Sequence, residues 1–233
     1  LKNYLTVFTS TNILRQCWNS IVITVTTCVL RLFVAALAAY GFAFYDFRGK
    51  KFFFYLTICT MLIPGEATLL TNYQTVSGMH LVNKYAGSII MFIGSGTSVF
   101  IIRQYFMNLP KSLHEAAIID GCSDFRFFCT VVMPLSKPVI ATISLLTLLS
   151  RWNDWNTALI YIKSSNLYSL QYLLQKILRE AEFVKNMAES SPVAGVDLDL
   201  SNLPSVTIRF AMCMVAAGPM LIIFPFFQKY FAK

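Results

Sequence analysis

The sequence predicts an all-α fold, a polytopic bundle of transmembrane helices. Three observations carry that prediction. The 233 residues are 56% hydrophobic and only 13% charged, where a soluble domain carries about 25% charged residues. The mean hydropathy is +0.60, so in water such a chain exposes large apolar patches, and a bilayer is its natural solvent. The apolar residues also fall into runs of roughly 20, the length of helix that crosses the hydrocarbon core.

Five such runs are expected as spans of one bundle covering residues 1–233. The first is 18–40, interrupted by Arg31. The second is 52–70 and holds Pro64, Gly65 and Glu66. The third, 86–106, contains Gly94 and Gly96. The fourth is 138–161. The fifth, 208–230, contains Gly218, Pro219 and Pro225. Helix breakers are tolerated inside a membrane bundle where neighbours satisfy the freed backbone groups. The 20 Phe and 11 Tyr suit lipid-facing surfaces and interfacial belts.

The net charge of +8 is spread over short loops. A nucleic-acid partner would call for a continuous basic face. Here Arg48, Lys50 and Lys51 sit in loop 41–51, and Lys111, Arg126 and Lys137 in loop 107–137, with Arg103 nearby. The positive-inside rule places both loops and the C-terminus in the cytoplasm, and no nucleic acid is expected. Five spans then leave the N-terminus outside, so a further helix upstream of Leu1 is expected, giving six spans and both ends inside.

The outer loop 162–207 is expected to hold an amphipathic helix. Leu167, Leu170, Leu173, Leu174, Ile177, Leu178 and Ala181 recur at helical spacing, with Gln171, Gln175, Lys176 and Arg179 opposite. Such a helix lies at the membrane surface or against the bundle. Residues 189–205 turn polar and read as a loop.

No catalytic or metal constellation is evident. The six cysteines form no CxxC pair, and His114-Glu115 lacks the second histidine of HExxH. Nor is there a GxxxxGK[ST] phosphate loop. An enzyme is therefore not expected. A self-sufficient secondary transporter would favour inverted repeats, and none is visible.

Loop 107–137 is the most informative stretch. Pro110 ends the third span. Residues 111–119 suit a short helix, with Ser112 as N-cap and Glu115 three residues on, a capping-box pattern. Gly121 frees the backbone for a reversal, and a second helix over 123–132 runs to Pro134. Two short helices meeting at a glycine make a compact knob.

The string Leu109-Pro110, Glu115-Ala116-Ala117, Asp120-Gly121 and Pro134-Leu135 resembles the EAA loop of the membrane subunits of binding-protein-dependent ABC importers. Over nearly its whole length the chain resembles a permease subunit of the maltose-type carbohydrate importers. Tyr40-Gly41-Phe42-Ala43, residues 61–66, Trp152-Asn153-Asp154 and residues 224–231 are similar to other segments of that family. The stretch around Leu170-Gln171 and the long outer loop resemble the branch that handles oligosaccharides or polysaccharide fragments. Val131 and Met133 stand where the family pattern has isoleucine and leucine. The family's first helix and glycine-rich basic tail lie outside the sequence.

The resemblance implies half of a translocation pore in a bacterial cytoplasmic membrane. It implies a second permease subunit, two ATPase subunits carrying ATP and Mg, an extracytoplasmic solute-binding protein and a carbohydrate substrate. No cofactor is expected on this chain. Glu115, Ala116, Ala117, Asp120, Gly121 and Pro134 are implied as the ATPase-coupling contact. A non-sugar solute is the alternative.

Polar residues within the spans are candidates for the substrate path. Ionisable side chains in a span are costly and usually face the interior. Glu66 reads either as a pore residue or as a solvated group near the outer interface. Trp152, Asn153, Asp154 and Asn156, with Trp155, form an aromatic-polar cluster. It suits a pyranose ring, or else interhelical hydrogen bonding and an interfacial belt. Arg31 and Arg151 snorkel or pair with a carboxylate.

Overall fold

Residues 12–190 and 206–231 are described by the computed structural model. Among them every regular element is helical.

Helix α1, Ile13–Phe44, has 32 residues, about 48 Å of rise. It extends the first expected span at both ends. Leu14, Trp18, Val25, Val29 and Phe33 form one exposed stripe, an outer surface suited to hydrocarbon. Ala35, Ala36 and Ala39 are fully buried. These small residues let helix α5, Gly96–Met107, approach closely and set Val99, Ile102 and Phe106 against them in the main core.

The second, third and fourth expected spans are not continuous helices. Helix α2, Lys50–Cys59, passes through a 3₁₀ turn at Thr60–Leu62, and the chain restarts as α3, Leu69–Gly78. Pro64 pushes Ile63 into an extended conformation (φ −84°, ψ 116°). The third segment is split into α4, Tyr85–Ile90, and α5. Ser95 caps α5, its hydroxyl accepting the Ser98 amide at 3.3 Å. A Cβ at Gly96 would lie 2.6 Å from the Thr57 carbonyl oxygen, so only glycine lets α5 begin against α2.

After Met107 the chain forms α6, Lys111–Ile119, and α7, Asp124–Phe127. A π-turn at Phe128–Val132 leads to the short α8, Met133–Leu135. The fourth segment follows as α9, Lys137–Trp152, and α10, Asn156–Tyr161. A 3₁₀ turn at Ser165–Leu167 precedes α11, Leu170–Ser190. The final helix α12 is Val206–Phe231, with Pro219 and Pro225 inside it.

The expected amphipathic helix is present as α11, and its apolar side packs against the bundle. Leu170, Leu174 and Ile177 join Ile13, Trp152, Met212 and Ala216 in a second core cluster. Leu167 falls outside that helix, in the preceding 3₁₀ turn. The loop expected over 189–205 lies mostly outside the described residues.

By length and composition, one helix among the described residues can cross a membrane alone, Ile13–Phe44. The segments Asp124–Leu135 and Lys137–Trp152 qualify only as a pair, bent by 76°.

Candidate functional site

The first candidate region is the knob after α5. Pro110, with φ −58° and ψ 128°, takes the N-cap position of α6. The expected capping box is therefore not formed. The helix starts at Lys111, Ser112 lies inside the first turn, and no side chain caps the end. The other end matches the glycine expectation. Gly121 has φ +67°. Its amide donates to the Ile118 carbonyl at 3.0 Å, and the Cys122 amide donates to the Ala117 carbonyl at 2.9 Å. That pair of bonds is a Schellman turn, with Gly121 at the left-handed position.

The second half of the knob is shorter as an α-helix than expected. It is α-helical only over Asp124–Phe127 and then widens into the π-turn. Pro134 has no amide hydrogen for the Thr130 carbonyl, and its ring crowds that carbonyl. A wider turn relieves the clash.

The knob is fastened to the end of α1. The Tyr40 hydroxyl donates to the Asp124 carbonyl at 3.1 Å, and the Tyr45 hydroxyl donates to the Asp124 carboxylate at 2.6 Å. That carboxylate favours the protonated phenol and pushes the Tyr45 pKa up. Behind these bonds Phe44 lies edge-on to Phe127, with ring centroids 5.7 Å apart. The His114 ring sits 5.4 Å from Phe44 and 5.1 Å from Phe127. A cavity of about 380 Å³ opens beside α6, bordered by Asp46, Phe106, Lys111, His114 and Glu115.

Glu115, Ala116, Asp120, Gly121 and Pro134 are exposed, whereas Ala117 is half-buried against the main core. Five of the six expected coupling residues thus share the accessible surface, and Ala117 anchors it from beneath. Ile118, Ile119 and Phe125 are also exposed, at 60%, 85% and 68%. Sequence reasoning missed the Tyr40, Tyr45 and His114 anchors. Phe125, Phe127 and Phe128 were the available signal that something aromatic had to meet them.

The second candidate region lies where α9 breaks before α10. Arg151 is buried, and its guanidinium pairs with Asp154. It also donates to the Ser88 carbonyl at 3.1 Å and lies 3.7 Å over the Phe92 ring. The Asp154 carboxylate accepts the Thr157 amide at 3.1 Å and its hydroxyl besides. Asp154 therefore satisfies a first-turn amide of α10 while neutralising a buried cation. These bonds are a physical reason for the break at Asn153–Trp155. Of the two alternatives for Arg151, the structure takes the paired one. Arg31 takes neither: its Nε donates to the Phe92 carbonyl at 2.7 Å.

A cleft of about 370 Å³ opens here, lined by Glu66, Asn72, Phe92, Asp154, Asn156 and Tyr161 among others. Three expected substrate-path residues, Glu66, Asp154 and Asn156, therefore meet in one cleft. Two do not. Trp152 is 3% exposed, and its indole N–H donates to the Ala216 carbonyl at 2.9 Å. That carbonyl lies in the turn before Pro219, and the bond ties α9 to α12. Asn153 is exposed but does not line the cleft. Asn72 and Tyr161 were not anticipated. Each looks ordinary in sequence, and only the fold brings them beside Glu66. Among the described residues no three His, Cys, Asp or Glu side chains gather as a metal site.

Knob and cleft lie at different levels of α1. Thr24 borders the polar pocket around Arg151 and Asp154, and Tyr40 holds the knob. The interval between them corresponds to about 24 Å of helix rise.

The chain is similar to permease proteins of bacterial transport systems. It is 36% identical over 214 residues to the arabinooligosaccharides transport system permease protein AraQ of Bacillus subtilis (strain 168), covering 92% of this chain and 69% of that protein. It is 32% identical to the polygalacturonan/rhamnogalacturonan transport system permease protein YtcP of the same strain, covering 100% of this chain and 79% of that one. A solved bacterial ABC transporter involved in importing the acidic polysaccharide alginate superposes with a TM-score of 0.83 at 26% identity. That match covers 98% of this chain and 79% of the transporter chain. The model of the binding-protein-dependent transport system inner membrane components matches residues 31–233, and the chain belongs to that family of ABC importer permeases.

Proposed function

We propose that the chain forms half of the pore of an ATP-driven carbohydrate importer in a bacterial cytoplasmic membrane, and takes its motion from a separate ATPase through the knob at residues 107–137. The observation that carries this reading is the construction of the knob. A Schellman turn at Gly121 fixes α6 against α7, aromatic packing fixes both to α1, and Glu115, Ala116, Ile118 and Ile119 remain exposed. A small, stiff, partly apolar projection is what a docking partner can push. Glu115 meets a basic group of the ATPase, and Ala116 permits close approach.

In this reading the chain crosses the bilayer five times, with broken helices forming several of the crossings. Loops 41–51 and 107–137 face the cytoplasm, and 162–207 faces outward to meet a solute-binding protein. A second permease subunit completes the pore. ATP and Mg bind the two ATPase subunits, not this chain. Closure of the ATPase dimer favours the outward-open state by its differential affinity for the two states. The cleft at Glu66, Asp154 and Asn156 lies on the path of the sugar. The names of the relatives support an oligosaccharide or polysaccharide fragment as cargo.

Reconstitution of the full importer in proteoliposomes tests this. Uptake of labelled oligosaccharide should require ATP and the ATPase subunits. Glu115→Lys should lower ATPase co-purification about tenfold while the permease still inserts. Uptake without any ATPase subunit overturns the reading.

A further inference from the structure

We propose that the cleft between residues 65–72 and α10 accepts uncharged saccharides and turns away acidic ones. This rests on the importer reading above and adds a substrate class to it. The cleft holds about 370 Å³, within the usual range of small-molecule sites, about 300–1,000 Å³.

Its lining is polar without being cationic. Asn72, Asn156 and Tyr161 supply amide and hydroxyl groups, which both donate to and accept from sugar hydroxyls. Among the described residues that line it there is no lysine, arginine or histidine. The two nearby arginines are committed behind Phe92. Arg151 is engaged by Asp154, the Ser88 carbonyl and the face of the Phe92 ring. Arg31 donates to the Phe92 carbonyl.

The charge that does line the cleft is negative. Asp154 is neutralised by Arg151. Glu66 is exposed, and among the described residues no ion pair involves it. A neutral sugar can donate hydroxyl hydrogens to the Glu66 carboxylate as a charge-assisted bond. A uronate entering the same space brings its carboxylate beside Glu66 with no lining cation to receive it. Two carboxylates brought close together repel. The site thus discriminates by leaving the acidic substrate's charge unpaired.

The test uses the complete importer with its binding protein, in proteoliposomes, with a labelled arabinose trimer and a labelled galacturonate trimer. Wild type should import the neutral trimer at least tenfold faster. Glu66→Gln should assemble normally, since Glu66 is exposed, and should narrow that ratio at least threefold. Equal wild-type rates for the two trimers overturn the inference but leave the importer reading standing. A ratio unchanged by Glu66→Gln also overturns it, because selection then resides outside the cleft. Import of neither trimer, with ATP and ATPase present, overturns the inference, because the uncharged trimer is then not accepted, and leaves the importer reading to its own test of ATPase dependence.

Discussion

The knob and the cleft are built by opposite means. The knob is held by apolar rings around Phe44 and Phe127, with two hydroxyl bonds to Asp124 at its rim. The cleft is held by a buried ion pair, Arg151 with Asp154, braced by a carbonyl and an aromatic face. Packing tolerates gradual loss. A buried charge does not, because removing its partner leaves an uncompensated ion. The cleft should therefore fail abruptly under substitution and the knob by degrees.

The largest expected effect breaks the cleft. Asp154→Ala strands Arg151 and should cost about 3–5 kcal/mol, seen as a large drop in Tm of the purified complex. A loss under 1 kcal/mol would mean that water already reaches the guanidinium. Next comes the knob's turn. Gly121→Val forces a β-branched residue to φ +67° and should cost about 1–3 kcal/mol. ATP-dependent uptake should fall more than Tm does, because the turn sets the angle between α6 and α7.

Trp152→Phe sharpens the boundary of the cleft. It removes the indole bond to Ala216 and should lower stability by about 1 kcal/mol, leaving the oligosaccharide concentration for half-maximal uptake unchanged. A clear rise in that concentration would return Trp152 to the sugar path. The smallest effect belongs to Tyr45→Phe. It deletes one exposed hydroxyl bond and should change Tm little, while lowering the coupling of ATP hydrolysis to uptake by less than twofold.

The two regions also differ in how far sequence could foretell them. The knob is local. Pro110, Gly121 and Pro134 act on their own neighbours, so the extent of α6 and the reversal at Gly121 were legible. What failed there was finer: Pro110 displaced Ser112 as the cap, and Pro134 widened α7 into a π-turn. The cleft depends on residues far apart in the chain. Hydropathy sums are indifferent to a break, so segments 52–70, 86–106 and 138–161 read as continuous spans although Pro64, Ser95 and Asp154 divide them. Glu66 was suspect as an ionisable group in an apolar run and Asp154 as part of an aromatic-polar cluster, but nothing local says that they line one cleft. Trp152 stayed ambiguous because an indole suits a sugar ring and an interhelical bond equally well; the structure shows the bond to Ala216.

Helix α1 runs unbroken past both regions, while the neighbouring segments 52–70, 86–106 and 138–161 are interrupted. It is the natural lever of the molecule. A tilt of roughly 10° pivoting at Tyr40 would sweep its wall near Thr24 by about 4 Å, enough to reshape the proposed path of the sugar. The interruptions elsewhere then serve as joints, giving the surrounding pieces room to follow a beam that does not bend.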